Sequence, residues 1–320
     1  MIEQKTPSNF ARFAWIVVAL NLVVIVWGGF VSASGSGDGC GASWPLCEQL
    51  VSSETRSWQT FVEFSHRMTS GLALIGVLGL IIGSYRRFPK DHIVRRGAMF
   101  SLIFILVESL LGAALVIFKW VDTNLSLARA FVQPVHLTNT FLLMAALCLT
   151  AWWATRPDQT LTVAGKRKAF VALGIALAGL VLVSSFGTIA SLASTIFPSE
   201  SFLAGVQKDF ARNVHYLVRL RIWHPVLALV IGRYLLTMGQ KLKDWFADEP
   251  LMRKLVNALL VIYGVQFALG SLNAILLAPI WLQLVHLLIA HLLWLCLVGL
   301  AALVLAQEEA VWEQTVLATT

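Results

Sequence analysis

Long apolar stretches alternate with short polar segments along the whole chain. Each apolar stretch has about 20 residues, the length that a helix needs to cross the hydrocarbon core of a bilayer. The pattern therefore predicts an all-α, polytopic membrane protein with eight transmembrane helices. We expect these helices near 13–33, 60–84, 97–118, 131–153, 169–190, 214–238, 256–277 and 280–305.

Composition and charge support this interpretation. Hydrophobic residues make up 58% of the chain and charged residues 13%, whereas a soluble domain is about 25% charged. The net charge of +7 could suggest a nucleic-acid partner, but the basic residues cluster after the second, fourth and sixth spans. The positive-inside rule assigns these loops and both termini to the cytoplasm, so we expect a multi-pass protein of the cell membrane and no nucleic acid. The clustered residues are Arg86, Arg87, Lys90, Arg95, Arg96, Arg156, Lys166, Arg167, Lys168, Arg233, Lys241, Lys243, Arg253 and Lys254.

The first apolar segment ends in a run of small residues at 32–34, which resembles a signal-peptide cleavage site. The apolar core of a signal peptide is shorter, about 7–15 residues. We interpret the segment as a retained first helix.

The two halves of the chain match each other at a nearly constant offset. Such internal correspondence in a membrane chain indicates repeated structural units. We expect two pseudo-symmetric four-helix bundles, at 1–158 and 159–320, with the same orientation in the membrane. At an offset of 158 the matched residues are Glu63 and Arg221, His66 and His224, Glu108 and Gln266, Gly112 and Gly270, and Gly29 and Gly187; His136 and His286 match at 150.

Four histidines occupy equivalent positions, His66 and His136 in the first half and His224 and His286 in the second. All four lie near the non-cytoplasmic ends of their predicted helices. A single membrane histidine usually bonds a neighbouring helix, and zinc would require three or four ligands. Because bundles hold cofactors with inward side chains from facing helices, the repeated pairs favour axial ligation of heme iron.

Other polar residues of the spans receive structural interpretations. His92 is expected in a basic loop and His215 at the membrane interface. His291 lies about 140° around its helix from the matched histidine of the same span, so it is expected to be buried outside the pocket. Glu108 is interpreted as structural, and Gln266 at its matched position is neutral.

Glu63 is the most costly residue for a membrane helix, since a carboxylate near the apolar core costs a few kcal/mol. It precedes His66 by three residues and shares its helix face. We interpret it as a catalytic candidate, with pairing to Arg67 or capping of the helix as the alternative. Because Arg221 occupies the matched position, one half is expected to carry out chemistry and the other to carry electrons.

Two cysteines, Cys40 and Cys47, lie in a glycine-rich loop on the outer, oxidising side. Their setting favours either a disulfide or a reversible dithiol pair. Cys148 and Cys296 lie within predicted spans and are expected to pack as small apolar residues.

In these features the chain resembles the heme A synthase family, membrane enzymes that convert heme O to heme A for terminal oxidases. The family oxidises a porphyrin methyl group to a formyl group through a hydroxymethyl intermediate. The resemblance covers nearly the whole chain and depends on motifs in a fixed order. These are the Gly-Ser-Gly run before Cys40, Trp44-Pro45-Leu46-Cys47, Glu63 through Arg67, His136-Leu137, and His286-Leu287 with Trp294.

The resemblance implies a role for each candidate residue. The heme O substrate is expected near His66 and His136 in the first bundle, with Arg67 near a propionate. Heme b is expected as a cofactor on the histidines of the second bundle, His224 and His286. Glu63 would be the catalytic acid, with Cys40 and Cys47 forming the outer pair; a heme O synthase and an electron donor are the implied partners.

The sequence departs from the family pattern at two positions. Pro225 follows the sixth-span histidine where members usually have Arg, so Arg219 or Arg221 is expected to serve a propionate instead. Ser32 stands where an Arg is common after the first helix. Both departures concern the cofactor site more than the substrate site.

Two other functions compete with the enzyme. A diheme electron-transfer cytochrome would use the same histidines without needing Glu63 or the cysteine pair. A heme-transfer or assembly protein would be expected to have helices broken around its site. The heme A synthase is the leading hypothesis, and tryptophan-rich outer surfaces would allow packing into a homo-oligomer.

Overall fold

A computed structural model describes residues 8–47, 57–157 and 165–306. Within these ranges the chain forms ten helices and no strands. The helices are α1 Asn9–Ala33, α2 Trp58–Arg87, α3 Ile93–Ile117, α4 Leu127–Thr155, α5 Arg167–Ile196, α6 Phe202–Phe210, α7 Tyr216–Arg221, α8 Trp223–Trp245, α9 Pro250–Ile275 and α10 Ile280–Ala306.

Eight helical segments in the described residues are long and apolar enough to cross a membrane, with α7 and α8 together forming one of them. The all-α polytopic fold is therefore confirmed. The expected loop after the sixth span was wrong in part, because Arg233, Lys241 and Lys243 lie within α8. Basic residues are favourable near a helix C-terminus, so the helix continues beyond its apolar segment.

Helix contacts form two closed rings. In the first ring α1 contacts α2, α2 contacts α3, α3 contacts α4, and α4 returns to α1. In the second, α5 contacts α8, α8 contacts α9, α9 contacts α10, and α10 returns to α5. The expected boundary at 158–159 lies outside the described residues, and the division into two domains stays a prediction.

The rings meet through their most buried helices, α4 and α10. Trp294 donates a hydrogen bond from Nε1 to the carbonyl of Phe141 over 2.7 Å, and the two aromatic side chains stack with centroids 4.8 Å apart. His291 contacts the same phenylalanine, also at 4.8 Å between ring centroids. This cluster joins the two halves through one aromatic side chain.

The sixth span contains a break that the sequence analysis did not predict. Helix α7 ends at Arg221 and α8 begins at Trp223, with Ile222 between them. Pro225 explains the break, because a proline has no N–H for the carbonyl four residues earlier and its ring collides with that carbonyl. The carbonyl concerned belongs to Arg221.

A short amphipathic helix, α6, lies in the loop between the fifth and sixth spans. Phe202, Leu203 and Phe210 are exposed, whereas Gly205 is buried. Its nine residues are too few to span a membrane. The loop was predicted without this helix, since its nine residues contain no apolar stretch of membrane-spanning length.

The contact between Trp294 and Phe141 predicts a measurable contribution to stability. Trp294→Phe removes the indole donor and with it a buried hydrogen bond between the rings, which should destabilise the protein by about 0.5–1.5 kcal/mol. Thermal unfolding in detergent should show a lower midpoint. Trp281→Phe is the matched control because Trp281 is 59% exposed; equal midpoints for both variants would contradict the prediction.

Candidate functional site

His224 and His286 face each other inside the second ring. Their ring centroids are 6.1 Å apart and their planes cross at 85°. His224 Nδ1 lies 2.9 Å from the carbonyl of Val183. A carbonyl only accepts, so Nδ1 carries the hydrogen and neutral His224 presents the lone pair of Nε2.

This spacing fits a metal ion shared by the two imidazoles. Two imidazoles that coordinate the same ion from opposite sides, each at about 2 Å, have ring centres about 6 Å apart. Within the described ranges no group of three or more His, Cys, Asp or Glu is arranged to hold a metal ion. A heme iron requires only two axial protein ligands, so the His224–His286 pair fits heme.

Glycines of neighbouring helices lie directly against two of the imidazoles. A Cβ atom on Gly187 would lie 3.0 Å from Cε1 of His224, and one on Gly28 would lie 2.9 Å from Cε1 of His66. Gly28 is therefore the spatial counterpart of Gly187, and the expected match of Gly187 with Gly29 was wrong by one residue. Gly29 instead gives room to a leucine of α10, Leu287.

The second pair of matched glycines differs between the halves. A Cβ atom on Gly270 would lie 2.9 Å from Cε1 of His286, whereas one on Gly112 would meet nothing within 4 Å. The amide Nε2 of Gln266 lies 3.2 Å from Nε2 of His286. The surroundings of His136 and His286, which lie on the last span of each half, are thus unequal.

In the first ring, α2 carries His66 and α4 carries His136. Each Nδ1 atom is buried and has no hydrogen-bond partner. The carboxylate of Glu108 lies 3.4 Å from Nδ1 of His136. The first ring therefore has buried histidine nitrogens at both matched positions, with an acid beside one of them.

Glu63 lies under the outer loop and is only 3% exposed. The backbone N–H of Cys40 donates to its Oε2 over 2.7 Å. Arg67 pairs with its Oε1 and donates through Nε over 3.1 Å. Both carboxylate oxygens are therefore bonded, one of them to Arg67, as the alternative interpretation of this residue expects.

Arg67 ties the outer loop to α2. Its Nη1 donates to the carbonyls of Ser43 over 2.6 Å and Leu46 over 3.0 Å. The same loop is closed by a disulfide between Cys40 and Cys47, which confirms the first of the two expected states of this pair. The loop is thus fixed to the turn of α2 that contains His66.

In the second ring, an arginine takes the place of the glutamate in attaching the outer segment to the helix. Arg221, at the position matched to Glu63, donates to the carboxylate of Asp209 over 2.6 and 2.9 Å. It also donates to the carbonyl of Gly205 over 3.0 Å, so it fixes α6 to α7. Asp209 was missed by the sequence analysis because its partner is defined only by the docking of α6.

The remaining histidines have structural contacts. His92 and His215 each accept a backbone N–H at the start of a helix, α3 and α7 respectively. His291 is fully buried and bonds the carbonyl of Leu287 through Nδ1. The side chains of Ser32 and Pro225, the two departures from the family pattern, are exposed.

Comparison with known proteins identifies the family. A family model described as cytochrome oxidase assembly protein matches residues 50–298. The chain belongs to this family. Heme A synthases of Bacillus mycoides and Bacillus cereus are 27% and 28% identical to it, over 72% of this chain and 72% of their own length. The expected resemblance to heme A synthases is confirmed.

A second group of relatives is more similar but much longer. A protoheme IX farnesyltransferase of Thermus thermophilus is 42% identical over 93% of this chain. The match covers 49% of that relative. The chain therefore spans about half the length of the Thermus proteins that it matches.

The glycine contact predicts that Gly187→Ala lowers heme occupancy. The added methyl would push His224 from its position, and a displacement that costs about 1.4 kcal/mol weakens binding about tenfold. Heme per chain, measured by absorbance during titration of the purified protein, should show this loss. Gly174→Ala, on the same helix with nothing within 4 Å, is the control; unchanged affinity in Gly187→Ala would refute the packing argument.

Proposed function

We propose that this protein is a heme A synthase that oxidises a methyl group of heme O to a formyl group, through a hydroxymethyl intermediate, for the biogenesis of terminal oxidases. The observation that carries the proposal is the pair of imidazoles 6.1 Å apart in the second ring. Buried, unpaired histidine nitrogens at the matched positions of the first ring, in His66 and His136, and relatives named heme A synthase support it.

The two rings take different hemes in this proposal. His66 and His136 hold the heme O substrate in the first ring. His224 and His286 hold heme b in the second. When bound there, heme b supplies one-electron redox chemistry. The apolar helices around both pairs exclude water and suit a porphyrin that carries a farnesyl chain.

Arg67 keeps the outer loop over the substrate pair and orients the substrate. A guanidinium has five N–H donors. Glu63 and the loop carbonyls engage Nε, Nη1 and one hydrogen of Nη2. The other hydrogen of Nη2 is the donor that we assign to a heme propionate, as a charge-assisted bond.

Glu63 handles a proton or orients the methyl edge of the substrate. Its oxygens are bonded to Cys40 N–H and Arg67, so accepting a proton requires one of these bonds to lengthen. The position of the outer loop and the protonation of Glu63 are coupled for this reason.

Topology and partners complete the proposal. By the positive-inside rule, the basic residues clustered after alternate spans support a topology with both termini in the cytoplasm and the protein in the plasma membrane. The Thermus relatives join a region like this chain to a similar length of further sequence and are named for farnesyl transfer to protoheme IX. We infer that a heme O synthase acts beside this chain, with an electron donor.

Farnesyl transfer by this chain itself is the second candidate, favoured by the 42% identity to the Thermus proteins. It would leave the four matched histidines without a chemical role. A diheme electron-transfer cytochrome is the other alternative, and it would use all four histidines but change neither heme.

Extraction of hemes from an oxidase-free host distinguishes the three functions. With a heme O synthase co-expressed, a heme A synthase yields heme A or its hydroxymethyl precursor. Without the co-expressed enzyme, a farnesyltransferase would convert heme B to heme O. Unchanged heme O in the first host, with heme b retained in the purified protein, would support the cytochrome and contradict the proposal.

Replacement of the buried acid tests the role of Glu63. Glu63→Gln keeps an acceptor for Cys40 N–H but removes the charge, so heme A formation should fall about 100-fold. Heme b content should stay at the wild-type level because the second ring is untouched. Glu200→Gln, at an exposed site, is the control; full conversion by Glu63→Gln would remove Glu63 from the mechanism.

A further inference from the structure

Glu108 is an acid in the middle of a membrane-spanning helix, and the proposed reaction gives it no role. It lies 15 residues after the start of α3, which begins at Ile93. A carboxylate at such a position costs a few kcal/mol unless groups inside the protein compensate it, and such residues are functional candidates.

Helix α4 supplies the compensating donors. Asn139 donates from Nδ2 to Oε2 of Glu108 over 2.6 Å, and Thr140 donates from Oγ1 to Oε1 over 2.6 Å. Asn139 Nδ2 also contacts the carbonyl of Phe104 over 2.9 Å. These bonds hold the carboxylate in one place against α4.

The place in which it is held is beside His136. Residues three and four positions apart share a helix face, so His136, Asn139 and Thr140 all face Glu108. His136 Nδ1 lies 3.4 Å from Oε1 and has no hydrogen-bond partner of its own in the described part of the chain. The carboxylate is therefore positioned to receive the Nδ1 hydrogen.

The second ring has a neutral version of the same contact. Gln266, matched to Glu108, places its amide 3.2 Å from His286, matched to His136. Each half thus sets a third-span side chain against the imidazole of the following span. The contact recurs in both halves. The side chain is charged in Glu108 and neutral in Gln266, and it lies near Nδ1 of His136 but near Nε2 of His286.

We infer that Glu108 is a positioning residue that orients His136 toward the substrate iron and makes its imidazole more electron-rich than that of His286. A carboxylate that accepts the second N–H of a ligating histidine fixes the ring and raises its basicity. This inference rests on the proposed function, in which His136 holds the substrate heme. It gives a physical reason why the two heme sites differ.

Exchange of the two side chains tests the inference. Glu108→Gln should raise the midpoint potential of the first-ring heme and weaken its binding about tenfold, while leaving the second-ring heme unchanged. Gln266→Glu should change the second-ring heme and leave the first unchanged. The measurements are redox titration and electron paramagnetic resonance of purified protein loaded with heme O in the first ring and heme b in the second, with His136→Ala to assign the first-ring signal.

Three results would overturn the inference, and they are distinguishable. A first-ring heme that responds to His136→Ala but has the same potential and affinity in Glu108→Gln would refute the role of Glu108 alone. A first-ring signal that does not respond to His136→Ala would refute the proposed function as well. If Glu108→Gln fails to fold, Glu108→Asp keeps the charge but withdraws the carboxylate from His136 and should shift the potential in the same direction; no shift would again refute the inference.

Discussion

The bilayer core offers no water to buried polar groups, so every such group needs a partner within the protein. This constraint explains the contacts of the candidate sites. Glu63 is bonded by Arg67 and a backbone N–H, Glu108 by Asn139 and Thr140. Among the imidazoles, a buried nitrogen lacks a partner at three of the four matched positions, in His66, His136 and His286, and also in His291. The unpaired nitrogens at the matched positions agree with histidines that are held ready for a ligand.

The two halves share the same arrangement of helices but differ in the charges at matched positions. Both halves fix an outer segment to the helix turn before a histidine, through Glu63 in the first and Arg221 in the second. A duplicated bundle can keep its packing when such a pair changes sign, provided that the partner changes too. In the proposed function, this freedom is what would let one ring bind a substrate while the other holds a cofactor.

The eight spans and the matched histidines were predictable because membrane thickness and repetition leave signals in the chain itself. The break at Ile222, the short helix α6 and the pairing of Arg221 with Asp209 were not. The break depends on the effect of Pro225 on the preceding helical turn. The short helix and the ion pair depend on docking between segments that are distant in the sequence. Glu108 illustrates the same limit, since its donors are defined only once α3 packs on α4.

The central claim is that His224 and His286 bind one iron between them. Near-infrared magnetic circular dichroism of the purified protein, loaded with heme b in a His66→Ala/His136→Ala background that removes the first-ring histidines, reports the axial ligands of the second ring directly. The account predicts a bis-histidine signature that is lost in both His224→Ala and His286→Ala and retained in His92→Ala, whose ring caps α3. A bis-histidine signature that survives either of the first two substitutions unchanged would contradict it.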